Sequence, residues 1–461
     1  MLTPGKLLLS VAFVIIFLNI PNGISALPAS LPPADGNIHL IPANDTRFLY
    51  EGRWASSTSK SGESERRADW PCSRIVFDVQ TRAAAGTNNN ITLVWHNVRN
   101  RVNASVWAGG RIVSTQYFVG ESVDLDGDKP REDVLVLPSA PAKYTVTLRK
   151  VTTAAPFGSG IGGKILRPSM IRFLGTRVPS GGSILLVERN KPRRRRIEFI
   201  GGSDTAGYCV DGTPKMGSVQ TTLEGWKYEN CDSGYVGLTG FEFGGLGGRR
   251  GADDDGGDDE SIGAEISVQA ISGIGLTQNA NAKQKWQLGS LSMPGYFNRT
   301  LQTDAKDAPV WDFQSFVPDL VVISLGGNDF NHQGGNVPSN KTFSAAYGAF
   351  LLRIFQVYDD NNNALNTTII SVCGQGSPVE KKYDPDNNRC RPCPHVDDAT
   401  VAFQRDHPAL ASRVHYIFVP CDGSVVTGQG DIGCAGHKNK VGQAKVAKFL
   451  RPKLASIMKW P

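Results

Sequence analysis

Residues 195–209 read RRIEFIGGSDTAGYC. Ile197, Phe199 and Ile200 make a short apolar run of strand-forming residues that stops at Gly201 and Gly202. Glycines close strands because they accept the tight backbone turn that follows. Ser203 then opens a short segment able to start a helix. A strand, a glycine turn and a helix start are the parts of a parallel α/β unit. In such units the working residues gather at the carboxyl ends of the strands. Taken alone, a serine after two glycines is an ordinary turn residue. The rest of the chain decides between turn and function.

Downstream, the same pattern repeats. EISVQAISG (265–273), DLVVISLGGND (319–329), NTTIISVCG (366–374) and RVHYIFVP (413–420) are apolar runs of strand length. FSAAYGAFLLRIFQVY (343–358) and KVGQAKVAKFLRPKLASIM (440–458) carry apolar residues at helical spacing. Strands alternating with helices predict a three-layer α/β/α domain with a parallel sheet over 195–461. Upstream the pattern differs. SRIVFDV, NITLVWHNV, ASVWAGGRIVST, REDVLVLP, KYTVTLRKV, MIRFLGTRV and SILLVE alternate apolar and polar residues between turn signals. Runs of that kind, without long helical patterns, predict a β-sandwich of jelly-roll type over 38–190. KPRRRR (191–196) falls between the two and reads as a solvated linker rather than a nucleic-acid patch, since no stacking motif accompanies it.

The 461 residues suit two domains, and a net charge of +6 is too small to imply a nucleic-acid partner. Lys6, the apolar LLLSVAFVIIFL and the small residues of GISA read as a signal peptide over 1–26. That implies a secreted protein with no membrane span, acting as a monomer. Eight cysteines in such a chain favour disulfides, with connectivity not legible from spacing. CRPC (390–393) accordingly reads as disulfide chemistry; no second CxxC or histidine pair completes a zinc set. Six glycosylation sequons begin at Asn44, Asn90, Asn103, Asn298, Asn340 and Asn366. The acids of segment 252–260 lack calcium-loop spacing, so that segment reads as a charged surface insertion. The sequence calls for no metal and no organic cofactor.

A serine hydroxyl is a weak nucleophile that needs a base and donors for the oxyanion it creates. Each part can be found beyond a strand. Ser203 follows IEFIGG, Gly273 lies in AISGIG, Asn328 lies in SLGGND, and His437 lies in GCAGHKN just before the last helix. Individually these are a turn serine, a loop glycine, a loop asparagine and a surface histidine. Their order and their shared strand-end positions make them a set.

The set resembles the four blocks of the SGNH (GDSL-type) hydrolases, and most closely carbohydrate esterase family 2. RRIEFIGGSDTAGYC is similar to that family's RIEFIGDSITCGYG. AISGIGL, MPGYFNRTL and WDFQSFVPDLVVISLGGNDF resemble its middle blocks, and DIGCAGHKNKVGQAKVA its D-x-GC-D-x-HPNxxGHxxMA ending. EGRW near Glu51 and DWPCSRIVFDV near Asp69 are similar to the opening strands of its jelly roll. The resemblance implies removal of acetyl groups from a polysaccharide. Ser203 would be the nucleophile and His437 the base. The Ser203 and Gly273 N–H groups and the Asn328 amide would form the oxyanion hole.

Three departures stand out. The acid before the serine is Gly202 here, and Asp204 is the residue available to cover for it. The acid expected just before the histidine is missing, which implies a Ser–His dyad with Asp431 the available third member. The proline after the histidine is Lys438. Cys209–Cys231 and Cys421–Cys434 are the bridges expected to brace the two loops. Two alternatives to the acetylesterase stay open: a catalytically weakened carbohydrate-binding protein on the same scaffold, and a general short-chain esterase or lipase.

Overall fold

Ile197 and Phe199 pack to one side of their strand, while Ile200 packs to the other, as the two-residue period of a strand requires. This strand, β13 (Arg196–Gly201), is the second of five in a parallel sheet ordered β14-β13-β15-β16-β17. Its partners are β14 (Glu265–Ala270), β15 (Leu320–Ser324), β16 (Thr368–Cys373) and β17 (Val414–Phe418). The computed structural model describes residues 38–81, 89–98, 100–120, 130–139, 142–154, 169–179, 184–187, 194–216, 225–243, 263–280, 291–303, 309–330, 337–359, 367–374 and 390–460. The expected signal peptide (1–26), the acidic insertion (252–260) and the sequon at Asn366 lie outside them.

The parallel sheet is covered on both faces. Ile200, Val321, Ile323 and Ile369 pack against α4 (Asn340–Asp359) and α5 (Cys393–Asp406) through Phe343, Phe350, Val396 and Phe403. Phe199, Val268, Val322 and Val372 pack against α2 (Tyr235–Glu242) and α6 (Lys440–Met458) through Tyr235, Val446, Leu450 and Leu454. Burial on both sides is why these strands read as continuous apolar runs. Two one-turn helices, α1 (Ser203–Ala206) and α3 (Met293–Tyr296), lie in the connections.

Before it come two antiparallel sheets. One runs Ala55–Thr58, Ser64–Ala68, Met170–Pro179, Asn90–Val98, Arg131–Val136, with Ile38–Pro42 beside Met170–Pro179. The other runs Ile184–Val187, Arg74–Thr81, Lys143–Lys150, Asn100–Ala108, Arg111–Gly120, with Leu49–Glu51 beside Arg74–Thr81. Phe48, Phe77, Trp95, Phe118 and Phe173 fill the core between them. The antiparallel sandwich and the parallel α/β domain are the fold expected from the sequence.

Several expectations need correction. Cys209 pairs with Cys434 and Cys231 with Cys72, so neither expected bridge forms; Cys373–Cys393 and Cys390–Cys421 complete the set. The topology brings Cys209 and Cys434 to a Cα separation of 5.1 Å, within bridging range, although 225 residues separate them in sequence. The basic run is not a solvated linker where it is described. Arg194 is buried against Glu51 and the Gly263 carbonyl, and Arg195 is buried over the Trp460 ring. Asn103 is buried and donates its side-chain amide to Asp232, so that nitrogen is not open to a glycan in the folded protein.

The sandwich grips the parallel domain with buried polar groups. Trp70 donates to the Thr300 carbonyl, and Asp69 accepts from the Gln302 and Thr303 backbone N–H groups. Arg53 is fully buried, donates to Glu198 on β13 and to the Phe297 and Arg299 carbonyls, and lies beside the Phe297 and Phe313 rings. Glu51 is buried between Arg74 and Arg194. Burial pushes the Glu51 carboxyl up, but the two guanidinium groups outweigh it and hold it at about 2, below its ordinary 4.5. Its stabilising effect is therefore complete above pH 4.5 and is lost as pH falls toward about 2. Glu51→Gln removes the carboxylate that the two buried guanidinium groups share. It should cost about 3–5 kcal/mol in denaturant unfolding at neutral pH, with the gap from the native protein narrowing as the pH drops through that window.

Candidate active site

The ladder of the parallel sheet places three loops together. Gly201 is in register with Ala270 on one side and Ser324 on the other. The chain leaves each strand at the same rung. Ser203 follows on α1, Gly273 in the loop after β14 with φ +83°, and Asn328 in the turn after β15. Ile271 N–H donates to the Gly201 carbonyl, which ties the second loop to the first.

His437 arrives from elsewhere, at the end of a 3-10 turn (Cys434–Gly436) before α6. Its Nε2 lies 2.7 Å from Ser203 Oγ. Its Nδ1 lies 3.1 Å from the Ala435 carbonyl. Ala435 holds a left-handed conformation, φ 49°, which an alanine adopts only at a cost and which turns that carbonyl toward the ring. The Tyr208 ring meets the imidazole edge-on, with centroids 4.9 Å apart. Cys209–Cys434 joins the segment after Ser203 to the turn before His437. Nucleophile-like and base-like groups are thus held within hydrogen-bond reach.

Asp431 is not brought to this pair. Its carboxylate accepts from Thr427 N–H, 2.7 Å, and from Lys445 Nζ, 2.7 Å. Burial pulls that carboxyl upward, but Lys445 and Thr427 outweigh it and hold it below the usual range. The carbonyl of residue 435 occupies the place beside Nδ1 that a carboxylate takes in a Ser–His–Asp triad. Asp204 pairs with Lys438 at 2.9 Å. A Cβ at Gly202 would lie 3.0 Å from Asn328 Nδ2, so any side chain there would face that amide. In its absence Asn328 Nδ2 donates to the Ile274 carbonyl, 2.7 Å.

Sequence reading passed over Asp329, the second half of GGND. It is fully buried, and its carboxylate accepts from Leu276 N–H, Thr277 N–H, Thr277 Oγ1 and Gln278 N–H at 2.6–3.2 Å. It clamps the loop that carries Gly273. Burial pushes its carboxyl up while these donors pull it down, and burial wins. The signal was present as an acid beside Asn328, but the loop it holds lies about 50 residues upstream and no spacing reports that. Among the described residues, no group of three or more His, Cys, Asp or Glu is arranged to hold a metal. None of their helices is long and apolar enough to cross a membrane.

No family model matches the chain. Over 190 residues it is 30% identical to the cellulase/esterase CelE of Acetivibrio thermocellus, covering 41% of this chain and 19% of that protein. Over 201 residues it is 23% identical to an acetylxylan esterase / glucomannan deacetylase of Cellvibrio japonicus, covering 44% of this chain and 47% of that protein. The chain thus spans less than half the length of either curated relative. A solved structure of a family two carbohydrate esterase from Clostridium thermocellum, in complex with cellohexaose, aligns with a TM-score of 0.62 at 21% identity. That alignment covers 90% of this chain and all of the other, and shows a common fold. The chain thus shares its fold with a family two carbohydrate esterase, and both curated relatives are named as esterases.

Asp329→Ala would leave four donors without their acceptor. Thermal or denaturant unfolding should show a loss of about 2–4 kcal/mol. Amide hydrogen exchange at 276–278 should quicken more than exchange in β14.

Proposed function

We propose that this chain, which has the fold of carbohydrate esterase family 2, is a secreted carbohydrate O-acetylesterase. One observation carries the reading: the 2.7 Å approach of His437 Nε2 to Ser203 Oγ at the carboxyl end of a parallel sheet. The relatives' names supply the substrate class, since one is an acetylxylan esterase / glucomannan deacetylase and another was solved with a cello-oligosaccharide. Four disulfides with no free cysteine suit the oxidising compartment of a secreted protein.

Ser203 Oγ attacks the acetyl carbonyl as His437 Nε2 takes its proton. The Ala435 carbonyl accepts from Nδ1–H, which fixes the tautomer with a free lone pair toward the serine. The oxyanion is received by the Ser203 and Gly273 N–H groups and by the Asn328 amide. That amide has two hydrogens, and only one is needed by the Ile274 carbonyl. His437 returns the proton to the departing sugar hydroxyl. Water, activated by the same imidazole, then hydrolyses the acetyl-enzyme.

One observation favours the weakened, carbohydrate-binding alternative: a neutral carbonyl rather than a carboxylate faces His437 Nδ1. Acetate release from acetylated xylan and glucomannan separates the two. The acetylesterase releases acetate, Ser203→Ala abolishes release, and Asn328→Ala lowers kcat by about 10²–10³. Asp431→Asn keeps kcat within about threefold, since its carboxylate serves Thr427 and Lys445. The rate falls at acidic pH, where His437 is already protonated and cannot accept from Ser203. Glycan binding with no acetate release, or full turnover in Ser203→Ala, sinks the assignment.

A further inference from the structure

We infer that the ion pair between Asp204 and Lys438 is a positioning device that holds the base against the nucleophile. This rests on the reading of Ser203 and His437 as the reacting pair. Asp204 directly follows Ser203, and Lys438 directly follows His437. Lys438 Nζ lies 2.9 Å from Asp204 Oδ1, with the lysine side chain fully buried and the aspartate side chain 27% exposed. A buried ammonium is strongly unfavourable without a counter-charge, so the pair fixes its two backbone segments together.

The surroundings are built for the lysine. A Cβ at Gly442, in the first turn of α6, would overlap the Asp431 carbonyl and crowd the Lys438 stem at 3.1–3.2 Å. Lys438 forms a β-bridge with Ile432, and Gly433 N–H donates to the His437 carbonyl at 2.7 Å. On the other side, the buried Gln443 donates to the Asp204 carbonyl at 3.3 Å and accepts from Tyr235 N–H at 3.1 Å. The residue after the serine is thus held by α6, and the residue after the histidine packs where the first turn of α6 leaves room for it.

The two positions also depart together from the pattern quoted above. RIEFIGDSITCGYG has isoleucine where this chain has Asp204, and HPN has proline where it has Lys438. This chain has an opposite-charge pair at those two positions. Meanwhile Gly202 stands where the pattern has the acid before the serine, and the Ala435 carbonyl meets His437 Nδ1. The pair supplies a tie at the positions adjacent to both reacting groups. Cys209–Cys434 supplies one further out, six residues beyond Ser203 and three before His437.

The test uses charge, because a merely structural contact has no sign. Around His437 stand the Ser203 hydroxyl, the Tyr208 ring and the Ala435 carbonyl. The charged groups on the adjoining segments are Asp204 with Lys438, Asp211 with Arg101 and Lys440, and Asp431 with Lys445. Asp204→Asn removes the negative charge of the pair and should lower the midpoint of the His437 imidazole titration followed by NMR. Lys438→Met removes the positive charge and should raise it. The double variant should return it toward the native value, with single shifts of about half a pH unit or more.

With 4-nitrophenyl acetate, each single variant should lose about 10- to 100-fold in kcat with KM within about twofold, because geometry rather than binding is disturbed. Asp204→Glu keeps the charge at a partly exposed position and should retain most of the rate, which keeps the test decisive even if Lys438→Met fails to fold. Shifts of the same sign in both single variants, or no shift alongside unchanged kcat, overturn the proposal. Ser203→Ala, run in parallel, separates the two readings. Turnover retained there defeats the Ser203 assignment. Turnover lost there but intact in the pair variants defeats only the positioning role.

Discussion

The register between β13, β14 and β15 is the constraint on which the site depends. Gly201 lies opposite Ala270 and Ser324, and parallel pairing fixes all three by backbone hydrogen bonds alone. The loops therefore leave the sheet side by side, and Ser203, Gly273 and Asn328 follow two, three and four residues later. A slip of one residue would reverse the faces of Ile197, Phe199 and Ile200 and expose apolar side chains to the wrong layer. The packing that buries the strands thus also places the loops. Asp329 carries this order past the last rung by binding the 276–278 backbone.

His437 owes nothing to that ladder. It reaches the serine from the approach to α6, and its position depends on contacts between distant parts of the chain. Cys209–Cys434 makes one of them covalent, and the Asp204 carbonyl bonded to Gln443 on α6 makes another. The sandwich contributes from behind. Arg53 and Tyr358 satisfy Glu198, a carboxylate at the centre of β13 that burial pushes above its ordinary range. A buried acid in a central strand would be costly unpaired, so the EGRW segment and β13 are a matched set across two domains.

How much of this the sequence revealed follows the range of each interaction. Strands from Arg74 onward were legible because alternation and apolar runs are local signals. The first β-strands, before Ala68, and α5 were not. The former are short and polar, and the latter opens at Cys393 and Pro394 with few apolar positions. Ser203, Gly273, Asn328 and His437 could be singled out because each follows or precedes a recognisable element. Partners were not legible. Cys434 was expected with Cys421 and Asp431 with His437, both neighbours in sequence, yet Cys434 meets Cys209 and Asp431 meets Lys445. Arg194 and Arg195 looked solvated because charge runs usually are; Arg194 finds acceptors on Glu51 and Gly263, and Arg195 lies over the Trp460 ring, all far from them in the chain.

On the proposed mechanism, the carbonyl of Ala435 changes what the protein must do electrostatically. A carboxylate beside Nδ1 fixes the tautomer and also stabilises the imidazolium that forms when the serine gives up its proton. A neutral carbonyl accepts the same hydrogen bond and fixes the same tautomer, but offers only a dipole to the cation. It avoids the desolvation cost of burying a second ion at the base. The nearest negative charge on the adjoining elbow is then Asp204, and Lys438 balances it. Stabilisation of the imidazolium becomes a property of a polar surround rather than of one counter-ion. Such a surround works only if it is rigid when the proton moves, since its dipoles must already point the right way. The strained Ala435, the disulfide one residue before it, and the ion pair one residue beyond the imidazole all restrict the same short turn. The missing acid and the density of ties around His437 are, on this argument, two sides of one arrangement.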